Sequence, residues 1–220
     1  MFAIDFRLAI KDLATEKHQA IAIESRGVRL GSLSSSRFKL PRKLRGDAGG
    51  LHGGKASCIR PNEANKEMRE ELLREFQDFA RTAPNVNAVM EHLAARLHEK
   101  MARYNWVGFY LVDPADSGIL LVGPFAGSFT PNARIPIDTG LCGAAATSGK
   151  TVVVDDVSKD PRYLSGSSMV NSEIVVPIFL RNKLHAELDV ESYFAGTFTR
   201  SEQDFVESCA AVVGNYLAKT

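Results

Sequence analysis

Apolar residues recur along the chain at two different periods, and each change of period marks an element. Met68, Leu72, Phe76 and Phe79 stand three and four residues apart, with Leu73 and Ala80 beside them, which predicts an amphipathic helix over 65–81. Pro84 interrupts that pattern and suits the first turn of a second helix. Its stripe is Val86, Val89, Met90, Leu93, Leu97 and Met101, and it should end near Tyr104. His92 and His98 fall off this stripe, so neither is a strong ligand candidate. The period then shortens to two. Residues 105–112 and 119–125 predict a strand and its return across an Asp113-Pro114 loop. The stretch 123–138, with three prolines and two glycines, reads as irregular. A short helix closed by a glycine follows at 140–149, then a brief strand at 151–154. Residues 155–171 form a loop rich in Asp, Ser and Gly, able to cover a pocket mouth. Thr199-Arg200-Ser201-Glu202 has capping-box spacing. It opens a last helix with Phe205, Cys209, Val212 and Tyr216 on its buried stripe, where Cys209 serves as packing.

The clearest pattern lies between Ser172 and Ser192. Two β-rich runs flank a polar turn at Arg181-Asn182-Lys183 and predict an antiparallel hairpin. In the second run Leu184, Ala186, Leu188 and Val190 alternate with His185, Glu187, Asp189 and Glu191. In the first, Ile174, Val176 and Ile178 oppose Glu173, Val175, Pro177 and Phe179. If both apolar faces line one core, Glu173, Asp189 and Glu191 converge on the other side. Two readings fit: a pocket wall for something cationic or rich in hydrogen-bond donors, or a solvated outer face, as one-sided antiparallel sheets normally have. The element order predicts an α+β fold, an antiparallel sheet with the N- and C-terminal helices on one face and a loop-covered pocket on the other. No connection has the pattern of a parallel crossover.

Charge divides the chain of 220 residues, whose formal net charge is only +1. Residues 1–60 carry 12 basic against 5 acidic side chains, and 61–220 carry 15 against 21. Residues 1–64 therefore read as a basic, disordered extension, and 65–220 as one globular domain. The extension's basic run around Arg37 to Arg45 fits a solvated tail, a tract for anionic lipid or nucleic acid, or a misplaced start with the true beginning near Met68. The acidic domain itself argues against nucleic acid as its partner. No apolar run approaches the roughly 20 residues that span a bilayer. Cys58, Cys142 and Cys209 are too few and too scattered for a disulfide framework or a zinc motif, so a reduced, cytoplasmic setting is expected.

Six short motifs, in order, resemble GAF domains, and more narrowly their free methionine-(R)-sulfoxide reductase branch. They are Asn105-Trp106-Val107-Gly108-Phe109-Tyr110, Gly123-Pro124-Phe125, Arg134-Ile135-Pro136, Gly140-Leu141-Cys142-Gly143, Ser172-Glu173-Ile174-Val175-Val176-Pro177-Ile178 and Leu188-Asp189-Val190-Glu191-Ser192. The resemblance covers about 66–218. It implies a GAF/PAS-like sheet and a substrate held by Trp106, Tyr110, Glu173, Asp189 and Glu191, the last standing where the family has an aspartate. Acids and an indole face suit an ammonium group. The resemblance further implies an attacking cysteine at the position of Gly166 and a resolving cysteine at that of Asn132. Only Cys142, at a position of secondary importance in the exchange, carries a thiol. Its place near a short helix's N-terminus would lower its pKa.

Three functions follow as expectations. The leading one is a stand-alone GAF domain that binds a small molecule, such as an amino acid or methionine sulfoxide, without catalysis. An alternative is a free methionine-(R)-sulfoxide reductase using Cys142 and an external thioredoxin-type reductant. The other is a sensory module for a cyclic nucleotide or other signal, acting through a partner chain. Family habit adds homodimerisation through terminal helices. Neither a metal nor a resident cofactor is expected.

Overall fold

The structure, a computed structural model, describes residues 61–219. Of the basic extension over 1–64, residues 1–60, which its three readings concern, lie outside the described residues, and 61–64 belong to the first helix. In chain order the elements are α1 (Pro61–Thr82), α2 (Val86–Lys100), β1 (Trp106–Val112), β2 (Ile119–Gly127), β3 (Arg134–Pro136), α3 (Gly140–Ser148), β4 (Val152–Val154), a single 3-10 turn (Val157–Lys159), β5 (Ser172–Leu180), β6 (Lys183–Ser192) and α4 (Arg200–Lys219). The strands form one six-stranded sheet in the order β3-β2-β1-β6-β5-β4. Every pairing is antiparallel, as the element order predicted.

Helices α1, α2 and α4 cover one face. Phe76 on α1, Val89, Leu93 and Leu97 on α2, and Val206, Cys209 and Val213 on α4 are fully buried against Val107, Phe109, Ile174, Leu188 and Val190 of the sheet. Each large apolar side chain buried this way contributes about 1.5–3 kcal/mol, which is what holds the helices to the sheet. The predicted stripes are these contact faces, with Cys209 among them as packing. The helix boundaries differ in detail. α1 begins at Pro61 rather than at residue 65. Asn85, not Pro84, starts α2, its side chain accepting from the Ala88 N–H at 2.9 Å. The helix stops at Lys100, where Met101 turns to extended backbone and the Tyr104 N–H bonds the Met101 carbonyl. Glu202 does not fold back as in a capping box. Its carboxylate takes the Tyr104 hydroxyl at 2.5 Å and the Arg69 guanidinium, tying α4 to α1 and β1's lead-in.

The irregular stretch before α3 contains one unforeseen strand. β3 is three residues long and pairs with the start of β2, placing Ile135 opposite Leu120. It lies at the sheet's edge, where Pro136 breaks no ladder. Among the described residues, no helix is long and apolar enough to cross a membrane.

Candidate functional site

The site begins with the β5–β6 hairpin. Arg181 and Asn182, at φ 51° and 62°, form a two-residue turn whose twist matches that of the strands. Lys183 already pairs with Leu180, so the turn is shorter than the three residues expected. A register shift between Ile178 and Phe179 sets Phe179 opposite Leu184 but Ile178 opposite Ala186. The bulge turns Leu184 away from the helix face, and it packs with the opposite cluster instead. Beyond the bulge the alternation holds. Glu173 faces Glu191, Val175 faces Asp189, and Pro177 faces Glu187. On the other flank β1 sets Trp106, Gly108 and Tyr110 opposite Glu191, Asp189 and Glu187. One sheet face thus carries two aromatics and four carboxyls.

That face is covered. α3, closed by Gly149 in the left-handed conformation at φ 66°, buries Leu141, Cys142 and Ala145 against it. Val157 and Val170 anchor the long loop there. Asn132 Nδ2 donates to the Leu164 carbonyl at 3.3 Å, which joins the two covering loops. Glu173 is 5% exposed, Asp189 4% and Glu187 0%, so the solvated outer face is excluded. Between sheet and loops lies a cavity of about 20 Å³, lined by Tyr110, Asn132, Cys142, Glu173, Asp189 and Glu191 among others. Trp106 does not line it. Its indole lies over Gly108, where a Cβ would come within 2.2 Å of the ring, and stacks on Phe125 at 5.7 Å between centroids. A glycine is therefore obligatory at 108.

The motif residues divide by role. Asn105 Oδ1 accepts from the Tyr193 N–H at 2.8 Å, Arg134 pairs with Asp113 at 3.0 Å, and the Ser172 hydroxyl donates to the Phe194 carbonyl at 2.7 Å. Ser192 bonds the Thr197 hydroxyl at 2.8 Å. These groups hold strand ends and loops. The Tyr110 hydroxyl does so as well, donating to the Asn132 carbonyl at 2.9 Å. Gly166 and Asn132 are neighbours at the cavity's edge. A Cβ on Gly166 would sit 3.5 Å from Asn132 Nδ2, Thr130 Oγ1 and Glu191 Oε1.

Burial governs the electrostatics. It pushes Glu187 up to about 8 and Glu191 up to about 7. Glu173 and Asp189 are raised well above the usual carboxylate range, first by burial and then by the neighbouring acids. Oδ1 of Asp189 and the indole nitrogen of Trp106 lack hydrogen-bond partners among the described residues, and Glu187 has only the weak donor Cys142 beside it. Cys142 Sγ lies 3.8 Å from Asp189 Oδ2. Its thiol is pushed far up, by burial and then by Asp189, Glu187 and Glu173, so the lowering expected from the helix N-terminus is overridden. Glu187 is the residue the sequence reading left out. Its place in the alternation with Asp189 and Glu191 was the available signal.

Residues 85–217 match the GAF domain family, and the chain belongs to it. It is similar to the free methionine-R-sulfoxide reductase of Escherichia coli, at 29% identity over 154 residues, which is 70% of this chain and 91% of that protein. GAF domain-containing protein A of Dictyostelium discoideum is 31% identical over 152 residues, 69% of this chain and 94% of its own. Among solved structures, the free methionine-R-sulfoxide reductase of Neisseria meningitidis in complex with its substrate superposes with a TM-score of 0.66 at 30% identity, covering 77% of this chain and 97% of that one. The chain is thus a GAF domain resembling the free methionine-R-sulfoxide reductases.

Proposed function

We propose that this GAF domain binds a small molecule bearing a positively charged group, of the class of a free amino acid such as methionine or its sulfoxide, and does not reduce it. One observation carries the reading: Glu173, Asp189 and Glu191 converge on a single cavity whose lining includes no Lys, Arg or His. Buried carboxyls without a countercharge are costly, and an ammonium group would supply it. The relatives named as free methionine-R-sulfoxide reductases support this ligand class. A cavity of about 20 Å³ admits little more than one water, so an amino acid enters only when the loops around Asn132 and Leu164 part. Phe129 and Met169 on these loops are 78% and 57% exposed, while Val157 and Val170 hold the base of the long loop.

The absence of catalysis rests on sulfur. Attack on a sulfoxide needs an accessible thiolate, and Gly166 and Asn132 stand where the resemblance implies the reacting pair. Cys142 is buried with its thiol held protonated. Calorimetric titration with methionine, both sulfoxide epimers and cyclic nucleotides tests the reading. An amine-bearing ligand should bind, more tightly as pH rises through about 7, because Glu191 must ionise to hold the cation. Asp189→Ala should cost roughly 1.5–3 kcal/mol, or about ten- to a hundredfold in affinity. Binding of cyclic nucleotides alone would replace this function with the sensory one. Steady reduction of the free sulfoxide with thioredoxin, abolished in Cys142→Ser, would make the protein an enzyme.

A further inference from the structure

Cys142 Sγ, a carboxylate oxygen of Glu173 and one of Asp189 lie within 4.8 Å of one another. They come from three separate elements, α3, β5 and β6, so no spacing motif announces them in the sequence. The donors of a tetrahedral zinc site stand about 3.5 Å apart, given bonds of about 2.3 Å to sulfur and 2.0 Å to oxygen. The Cys142–Asp189 separation of 3.8 Å is already close to that. Two further observations point to a cation. Asp189 Oδ1, on a residue 4% exposed that lines the cavity, lacks a hydrogen-bond partner among the described residues. The cavity that Cys142, Glu173 and Asp189 line, about 20 Å³, has room for an ion without any movement of the loops.

We infer that Cys142, Glu173 and Asp189 form a three-ligand site for a borderline-soft divalent cation of the zinc and cobalt class, with its fourth position open to the cavity. Sulfur in the donor set disfavours magnesium and calcium, which take oxygen alone. On binding, the protons of the Cys142 thiol and of the Glu173 and Asp189 carboxyls pass to solvent, and lone pairs of the sulfur and of the two carboxylate oxygens form the metal bonds, with no change of oxidation state. One thiolate and two carboxylates against a divalent ion leave one net negative charge, far less than the same acids would carry ionised without it. Metal and ammonium would occupy Glu173 and Asp189 in turn, and the metal site rests on the Cys142, Glu173 and Asp189 geometry rather than on the amino-acid reading.

The test is titration of the reduced, chelator-treated full chain with cobalt(II), followed by absorption. The expected result is a thiolate-to-cobalt charge-transfer band in the near ultraviolet that saturates at one equivalent. Cys142→Ser, nearly isosteric, should abolish it, and Cys58→Ser should leave it intact. Asp189→Asn should weaken binding by more than the roughly 10–100-fold typical of outer-shell partners. No band in the native protein, or a band that survives Cys142→Ser, overturns the site. Loss of amine binding with the cobalt band retained would count against the ligand reading alone.

Discussion

The two faces of the central sheet share their strands and backbone hydrogen bonds, yet they do opposite work. On the helix side, Phe109, Ile174, Leu188 and Val190 meet apolar residues from α1, α2 and α4, with no fully buried carboxyl among them. On the loop side, the alternate residues of the same strands are Tyr110, Glu173, Asp189 and Glu191, held under α3 and two loops. The first face supplies cohesion. The second spends some of it, because carboxyls kept out of water without partners destabilise the folded state until a cation reaches them. Stability and binding chemistry are thereby separated by a single residue step along each strand.

The largest effect should follow from breaking the cohesive face. Phe109→Ala empties a fully buried position and should cost about 3–5 kcal/mol in urea unfolding. A cost below 1 kcal/mol would show that this face is not where stability resides. The opposite face should reveal itself through pH. Glu187 keeps its proton to about 8 in the folded protein, against an ordinary value near 4.5. The folded state therefore binds more protons than the unfolded state throughout that window. Its contribution is complete below about 4.5 and is lost as pH rises to about 8, by about 1.4 kcal/mol per pH unit. Glu173, Asp189 and Glu191 are raised likewise and add to the same fall, so denaturant titrations of the ligand-free protein from pH 5 to pH 8 should show at least this loss, and a rise in stability over that range would reverse the assignment.

Glu187→Met sharpens the same contrast at one position. Replacing a buried acid whose neighbour is only the weak Cys142 donor by an apolar side chain of similar size should stabilise the protein at pH 8 by about 1–3 kcal/mol, and lessen its pH dependence. Destabilisation instead would mean that Glu187 serves a partner. The smallest effect belongs to the loops. Phe129→Ser, at a side chain 78% exposed, should change stability by less than about 0.5 kcal/mol. A larger loss would show that the covering loops belong to the core.

Much of this arrangement was legible in the chain. The helical stripes around Phe76, Leu93 and Phe205 name the residues that meet the sheet, because a period of 3.6 leaves only one face to bury. The alternation from Glu187 to Glu191 placed the acids together, since side chains two apart in a strand share a face. The bulge beside Ile178 was not legible. It depends on how two strands match, and it moved Leu184 to the other side. β3 was missed for a similar reason, because three residues carry no period and only pairing with β2 makes them a strand.

The sequence by itself determined which residues share a face and that one face is acidic. Only the tertiary structure decided what covers that face. Alternation assigns sides, but burial depends on segments remote in the chain. α3 and the loops joined by Asn132 and Leu164 lie across the acids and decide between the pocket wall and the solvated face that the alternation left open, closing a second core there. The same covering keeps the Cys142 thiol protonated where its position on α3 alone suggested a thiolate, because desolvation and neighbouring carboxylates outweigh the partial charge of a short helix.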